Sequence, residues 1–247
     1  MCFDPPLLPC FSEASSGPIC WNYEMSEVNV YLGHLDSARL PHDALRDWLD
    51  SEERTRCAAY GREILRRRFV AAHAALRLVL GRVLGRHPAE IIFRRNAWGR
   101  PEMPEGPAFN LSHAGPQALI AVSAQQAIGV DVELRERKMS REVYDAVTSA
   151  AEHRDTADAG DRLRLWVRKE AVLKALGLGL SFAPQAVTVG GHATDYKCWK
   201  SILIAEAGKL REFSLVDLAL PHRLYGALAI HGAPKPGLTL NVQPLVI

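Results

Sequence analysis

The chain has 247 residues, 48% of them hydrophobic and 23% charged, with 18 Gly and 15 Pro. These values exclude disorder, collagen and coiled coil as whole-chain answers, and the length suits one large domain or two small ones with a core that needs no disulfides. Net charge is only +2, yet Arg54 to Arg100 carries 12 Arg and no Lys against Glu63 and Glu90, so the rest of the chain is acidic and a polyanionic partner is suggested.

Met1 to Cys20 contains no basic residue, and Asp4, Pro5, Pro6 and Pro9 interrupt its apolar stretches. It reads as an irregular arm over residues 1–20 and not as a signal peptide. No window approaches the roughly 20 apolar residues of a membrane span. The five Cys, at positions 2, 10, 20, 57 and 198, are odd in number and lack CxxC spacing. Neither zinc nor a disulfide framework is expected, and reduced thiols point to a cytoplasmic protein without a membrane partner.

Glu27 to Leu35 alternates as a half-buried strand. Asp50 and Ser51 before Glu52 and Glu53 open a long helix, whose apolar stripe runs through Leu65, Phe69, Ala72, Leu76, Leu80 and Val83 to Gly85 and Pro88. Ile91 to Phe93 reads as a short strand and Asn96 to Pro107 as loop. Strands are then expected at Phe109 to Leu111, Ala118 to Ser123 and Ile128 to Leu134. Arg141 to Glu152 and Asp161 to Leu176 look helical, the second closed by Gly177 and Gly179. Strand-like runs follow at Ala186 to Val189, Ser201 to Ala205, Phe213 to Ala219, Leu224 to Ile230 and Leu238 to Val242. The expected class is α+β. Two similar halves, residues 21–125 and 126–247, each hold a small antiparallel sheet and a long helix, with a seam near Ala124 to Ala127.

Three segments can carry chemistry. In Gly129-Val130-Asp131-Val132-Glu133, the strand alternation puts Asp131 and Glu133 on one face. Such a pair is either exposed at a strand end or shares a cation, for which Mg²⁺ is the natural candidate. In the helix, Trp166, Glu170 and Lys174 share a face. Glu170, flanked by Lys169 and Lys174, is a third candidate ligand among phosphate-binding cations, or one half of a helical ion pair. In Phe109-Asn110-Leu111-Ser112-His113, the last two side chains diverge, so they do not form a nucleophile and base. A hydroxyl and an imidazole at a strand end suit phosphate binding, or a capped turn. Neither a G-x-S-x-G elbow nor a P-loop is present.

The order Gly99-Arg100-Pro101, Phe109-Asn-Leu-Ser-His113, Gly129-Val-Asp-Val-Glu133 and Trp166-Val-Arg-Lys-Glu170 with Lys174 resembles the 4′-phosphopantetheinyl transferases. The likeness is to their longer, Sfp-type branch with two similar halves in one chain, and it runs from about Ser51 to Phe182. The resemblance implies transfer of the phosphopantetheine arm of coenzyme A to a carrier-protein serine, with release of 3′,5′-ADP. It implies Asp131, Glu133 and Glu170 as Mg²⁺ ligands and Lys174 on the diphosphate. Arg56, Arg100, Ser112 and His113 would contact coenzyme A, and Glu152 would be the general base. It further implies a monomer that acts on acyl or peptidyl carriers of fatty-acid, polyketide or nonribosomal-peptide systems. His73 stands where many relatives have Arg, so one basic contact would be lost at high pH. The segment from Glu152 to Trp166 is shorter than usual.

Two rivals remain on sequence grounds. A Mg²⁺-dependent hydrolase of coenzyme A or a nucleotide diphosphate would need no carrier. An Arg-rich nucleic-acid-binding module would bind with steep salt dependence, but leaves Asp131, Glu133 and the Trp166 helix unexplained. The transferase reading expects no nucleic-acid partner.

Overall fold

The first sheet is covered on one face by a long helix and on the other by the second sheet. In the computed structural model, which describes residues 27–37, 39–124, 127–154, 159–178, 181–190 and 198–247, β1 is Glu27–His34. A short helix α1 (His42–Asp47) leads to α2 (Ser51–Ala58). The start of α2 is a capping box: Glu53 N–H donates to Asp50 Oδ1 at 2.8 Å and Asp50 N–H to Glu53 Oε2 at 3.0 Å. The expected single long helix is two. The chain breaks at Tyr60-Gly61 and resumes as α3 (Glu63–Leu84), closed by Gly85 at φ 62°. The expected strand at Ile91–Phe93 is absent; β2 (Arg94–Arg95) follows it and pairs with β3 (Pro101–Glu102) inside the loop.

Then come β4 (Ala108–Ala114), β5 (Gln117–Ser123), β6 (Ile128–Leu134), α4 (Arg141–Val147) and α5 (Ala159–Leu176). Helix α4 stops five residues short of the expected Glu152. Thr148 turns extended at ψ 134° while its hydroxyl donates to the Tyr144 carbonyl. The expected strand at Ala186–Val189 is also absent. A 3₁₀ turn (Pro184–Ala186) leads into chain whose Val189 and Gly190 N–H groups donate to the Glu152 carboxylate instead of a ladder. Strands β7 (Lys200–Glu206), β8 (Lys209–Asp217), β9 (Leu224–His231) and β10 (Thr239–Leu245) complete the chain. The arm over residues 1–20, Gly179 and the seam residues Gln125 and Gln126 lie outside the described residues.

The fold is α+β, with sheets ordered β10-β1-β5-β4 and β6-β9-β8-β7. All their pairs are antiparallel except β1 with β10. The parallel pair means the last strand joins the first sheet, although a division at residue 126 would group it with the second. Alternation along the strands makes four layers. Helix α3 packs Phe69, Leu76 and Leu80 on Ile120 and Val122. The two sheets face each other through Val28, Val30, Leu119 and Ala121 against Val130, Val132 and Leu228. Helix α5 packs Leu165 and Val172 on Phe213 and Ala227.

The edge strands β4 and β6 meet without a ladder. Side chains of β4 serve the β6 backbone: Val130 N–H donates to Asn110 Oδ1 at 2.9 Å and Val132 N–H to Ser112 Oγ at 3.4 Å. On its other face β6 touches α5 at Gly129. A Cβ there would stand 2.1 Å from the Ala171 carbonyl oxygen and 2.3 Å from the Ala175 nitrogen. No side chain can flex to relieve that overlap, because both neighbours are backbone. Gly129→Ala is therefore expected to push α5 off the sheet and cost at least the ~1–3 kcal/mol of ordinary overpacking. Thermal unfolding checks it, with a midpoint lower by roughly 4–10 °C; an unchanged midpoint would contradict the contact.

Candidate active site

The close approach at Gly129 puts the next residues of the same β6 face, Asp131 and Glu133, beside α5. Asp131 is buried at 5% exposure. Its Oδ1 accepts from Ser112 Oγ at 2.7 Å and from Lys174 Nζ at 2.6 Å. Lys174 Nζ also donates to Ser112 Oγ at 3.0 Å and to the Val130 carbonyl at 3.2 Å. Asp131 Oδ2 is buried with no hydrogen-bond partner. An orphaned carboxylate oxygen is costly, so it marks a place where a further cation or donor fits.

Glu170, one turn before Lys174 on α5, has no hydrogen bond or ion pair among the described residues. Burial pushes its carboxyl above the usual range and the Asp131 charge adds to this; Lys174 and Arg137 oppose them only in part. Glu133 pairs with Arg137, four residues on. The expected convergence of three acids on one ion is not formed as the side chains stand: among the described residues no three His, Cys, Asp or Glu are close enough to hold a metal. The reason is local. Lys174 already neutralises Asp131, and Arg137 neutralises Glu133. The donor set nonetheless fits a hard divalent ion, since it is all carboxylate oxygen, with one oxygen orphaned and one carboxylate unpaired.

Strand β4 separates this acidic site from a cavity of about 220 Å³. Ser112 faces the acids, and His113 faces the cavity beside Arg56, His73 and Arg95. The structure thus brings Arg56 and His113 together and moves Ser112 to the acids. The His113 ring is held below its ordinary pKa, first by desolvation and then by the nearby His73 ring and the Lys174 ammonium. His73 stacks on Phe69 with ring centres 4.0 Å apart, and Arg56 lies 5.5 Å from the same Phe69 ring. His73 Nδ1 is 2.8 Å from Glu53 Oε1, and Arg77 Nε donates to Glu53 Oε2 at 2.8 Å. Burial raises the Glu53 carboxyl, but His73 and Arg77 outweigh it and bring it down to about 2.

Other expected residues turn elsewhere. Arg100 lines a separate cavity with Trp98, Met103 and Leu176, away from the acids. Its guanidinium donates to the carbonyls of Lys174, Ile128 (2.8 Å) and Phe109 (3.4 Å), tying α5 to β4 and β6. Lys169 is not a phosphate-binding cation, because it is fully buried and pairs with Glu152 at 2.7 Å. Glu152 in turn is no solvent-facing base. It is 1% exposed, and its oxygens accept from Lys169, Ser149 N–H (2.9 Å), Val189 N–H (2.7 Å) and Gly190 N–H (3.3 Å). Burial raises its carboxyl, but these donors bring it below the usual value, which weakens it as a proton acceptor. The Arg54 to Arg100 cluster is not one cationic face either. Arg66 pairs with Glu63, Arg68 with Asp36, Arg95 with Glu52, and Arg77 is buried on Asp50 and Glu53.

The sequence reading passed over Asn110, Glu53 and Arg137. The interval of four between Glu133 and Arg137 was the one available signal for that pair, and it lay across a strand end and a turn, where helical spacing carries no information.

Residues 127–215 match the profile described as the 4′-phosphopantetheinyl transferase superfamily. The chain is 30% identical over 171 residues to the phosphopantetheinyl transferase of Thraustochytrium sp., covering 59% of each chain. It is 31% identical over 170 residues to the 4′-phosphopantetheinyl transferase HetI of Nostoc sp., covering 63% of this chain and 70% of that one. It is 26% identical over 159 residues to the 4′-phosphopantetheinyl transferase Sfp of Bacillus subtilis, covering 61% and 70%. The chain thus spans about three fifths of the Thraustochytrium relative's length.

Substituting Glu152 tests its structural role. Glu152→Gln leaves the Lys169 ammonium buried without its counter-charge, at a cost of ~3–5 kcal/mol. The unfolding midpoint should fall by about 10 °C, and adding Lys169→Met should restore most of it. A midpoint equal to that of the parent chain would show that Glu152 holds nothing in place.

Proposed function

The chain belongs to the 4′-phosphopantetheinyl transferase superfamily, and from that premise we propose that it moves the phosphopantetheine arm of coenzyme A onto a serine of an acyl or peptidyl carrier protein. The observation that supports this most is Asp131, bonded through one oxygen to Ser112 and Lys174 and left with a buried, unpartnered second oxygen. In the proposed reaction the carrier serine Oγ gives its proton to solvent and forms a bond to the phosphorus next to the pantetheine arm. The P–O bond to the other phosphate breaks, and 3′,5′-ADP leaves. The transition state gathers negative charge on phosphoryl oxygens, so positioned cations do most of the work.

Each residue has a part consistent with its surroundings. Asp131, Glu133 and Glu170 would hold Mg²⁺, which would supply positive charge to the diphosphate oxygens. Lys174, fixed by Asp131 and Ser112, would exchange its longest contact, to the Val130 carbonyl at 3.2 Å, for a diphosphate oxygen. Arg56 and His113, with His73, line a cavity suited to the remaining phosphate of coenzyme A. The hydrogen bond between His73 Nδ1 and Glu53 fixes the orientation of that imidazole at the cavity wall. Glu152 acts through Lys169 to hold α5, and its buried carboxylate takes no part in proton transfer. Arg100 fixes the C-terminal end of α5 against both edge strands. No helix among the described residues is long and apolar enough to cross a membrane; a monomer in the cytoplasm is the setting we propose.

Intact mass of an acidic carrier protein, after incubation with the protein, Mg²⁺ and coenzyme A, tests the reaction. A phosphopantetheine-sized gain that is lost in excess EDTA and in Asp131→Asn is expected. With 3′-dephospho-coenzyme A, affinity should be lower by at least about tenfold, the weight of one charge-assisted contact. Release of 3′,5′-ADP without any carrier, or full transfer in EDTA, would contradict the proposal.

A further inference from the structure

Arg137 is a cation in the acidic site that the reaction above does not use. It follows β6 in a turn closed by its own N–H, which donates to the Leu134 carbonyl at 2.9 Å. Its side chain folds back along the strand, and the guanidinium pairs with the Glu133 carboxylate. The same guanidinium lies 6.0 Å from the centre of the Trp166 ring on α5. Its charge is also felt at Glu170, one turn further along that helix. One guanidinium therefore serves two of the three acids from the open side, while Lys174 holds Asp131 from within.

The two partners of this pair are held very differently. The Glu133 side chain is 13% exposed and the Arg137 side chain 45% exposed. The acid belongs to a strand laddered to β9, with Glu133 opposite Tyr225. The cation sits on a surface turn at the end of a long flexible stem. The acid is thus fixed and the cation can leave into water at little desolvation cost. A carboxylate that ligates a divalent ion cannot keep a guanidinium on the same oxygens, since the two cations repel.

We propose that Arg137 is a built-in counter-ion of the acidic site: it neutralises Glu133 until a divalent cation takes the carboxylate, and it thereby sets how tightly that cation binds. The inference rests on the reading of Asp131, Glu133 and Glu170 as ligands. It makes Arg137 a competitor of the metal, and the sign of its effect separates this from a supporting role. A residue that merely oriented Glu133 would lower metal affinity when removed; a competitor raises it.

The test is Mn²⁺ binding to the whole protein at low ionic strength, read from the electron paramagnetic signal of free Mn²⁺, with no coenzyme A or carrier present. Arg137→Gln should bind Mn²⁺ about two- to fivefold more tightly, the range expected for releasing one partly exposed ion pair. Arg137→Lys, which keeps the charge, should stay close to the parent chain. The gain should shrink as salt is raised. Asp131→Asn in the same assay separates the two readings. If it abolishes Mn²⁺ binding while Arg137→Gln binds equally or more weakly, the ligand reading stands and the counter-ion role is overturned. If Asp131→Asn leaves binding unchanged, or the parent chain binds no Mn²⁺, the ligand reading fails and the inference falls with it.

Discussion

One carboxylate oxygen is bonded from both sides of the β4–β6 seam. Asp131 Oδ1 accepts from Ser112 on the first sheet and from Lys174 on the second half's long helix. Its strand reaches that position because Asn110 and Ser112 take the β6 N–H groups that have no ladder partner. The helix reaches it because Gly129 has no Cβ to hold it away. Charge, seam and helix contact are therefore one constraint. Moving any of them moves the acid relative to the cavity on the other side of β4, where Arg56 and His113 stand.

Much of this was legible in the sequence because strand alternation has a period of two and needs no tertiary knowledge. Ile128 to Leu134 was read with its observed bounds, and so was the shared face of Asp131 and Glu133. The divergence of Ser112 and His113 also follows from that period, although which face met which site did not. The helix face of Trp166, Glu170 and Lys174 was equally readable, since its spacing is regular. Failures came where a side chain overrides local pattern. Val187 and Val189 look strand-like, yet the Glu152 carboxylate takes the N–H groups that a ladder would need. The break at Tyr60-Gly61 falls before the apolar stripe begins at Leu65, so the spacing of that stripe gives no sign of it.

The cations illustrate a different limit. Sequence shows how many there are but not where each one turns. The Arg-rich stretch looked like a partner surface, but several of its guanidiniums serve the fold. Arg77 is 1% exposed and braces α3 against the start of α2 through Glu53 and Asp50. On α5 the adjacent Arg168 and Lys169 are both buried, paired with Asp217 and Glu152, while Lys174 reaches the acids. A buried ion pair contributes little net stability over an apolar substitute, but it fixes which way the backbone around it runs. Here the two pairs fasten α5 to β8 and to the chain around Val189, and so hold the helix that carries Glu170 and Lys174.

The shared carboxylate is tested most directly by a double-mutant cycle on carrier modification with Ser112→Ala and Lys174→Met. Both residues act through the same oxygen, so the losses in kcat/KM should not add. The double variant should be less impaired than the product of the single effects, with a coupling of about 1 kcal/mol or more. Single effects that multiply within error would show that Ser112 and Lys174 act independently, and would contradict an acid held jointly by β4 and α5.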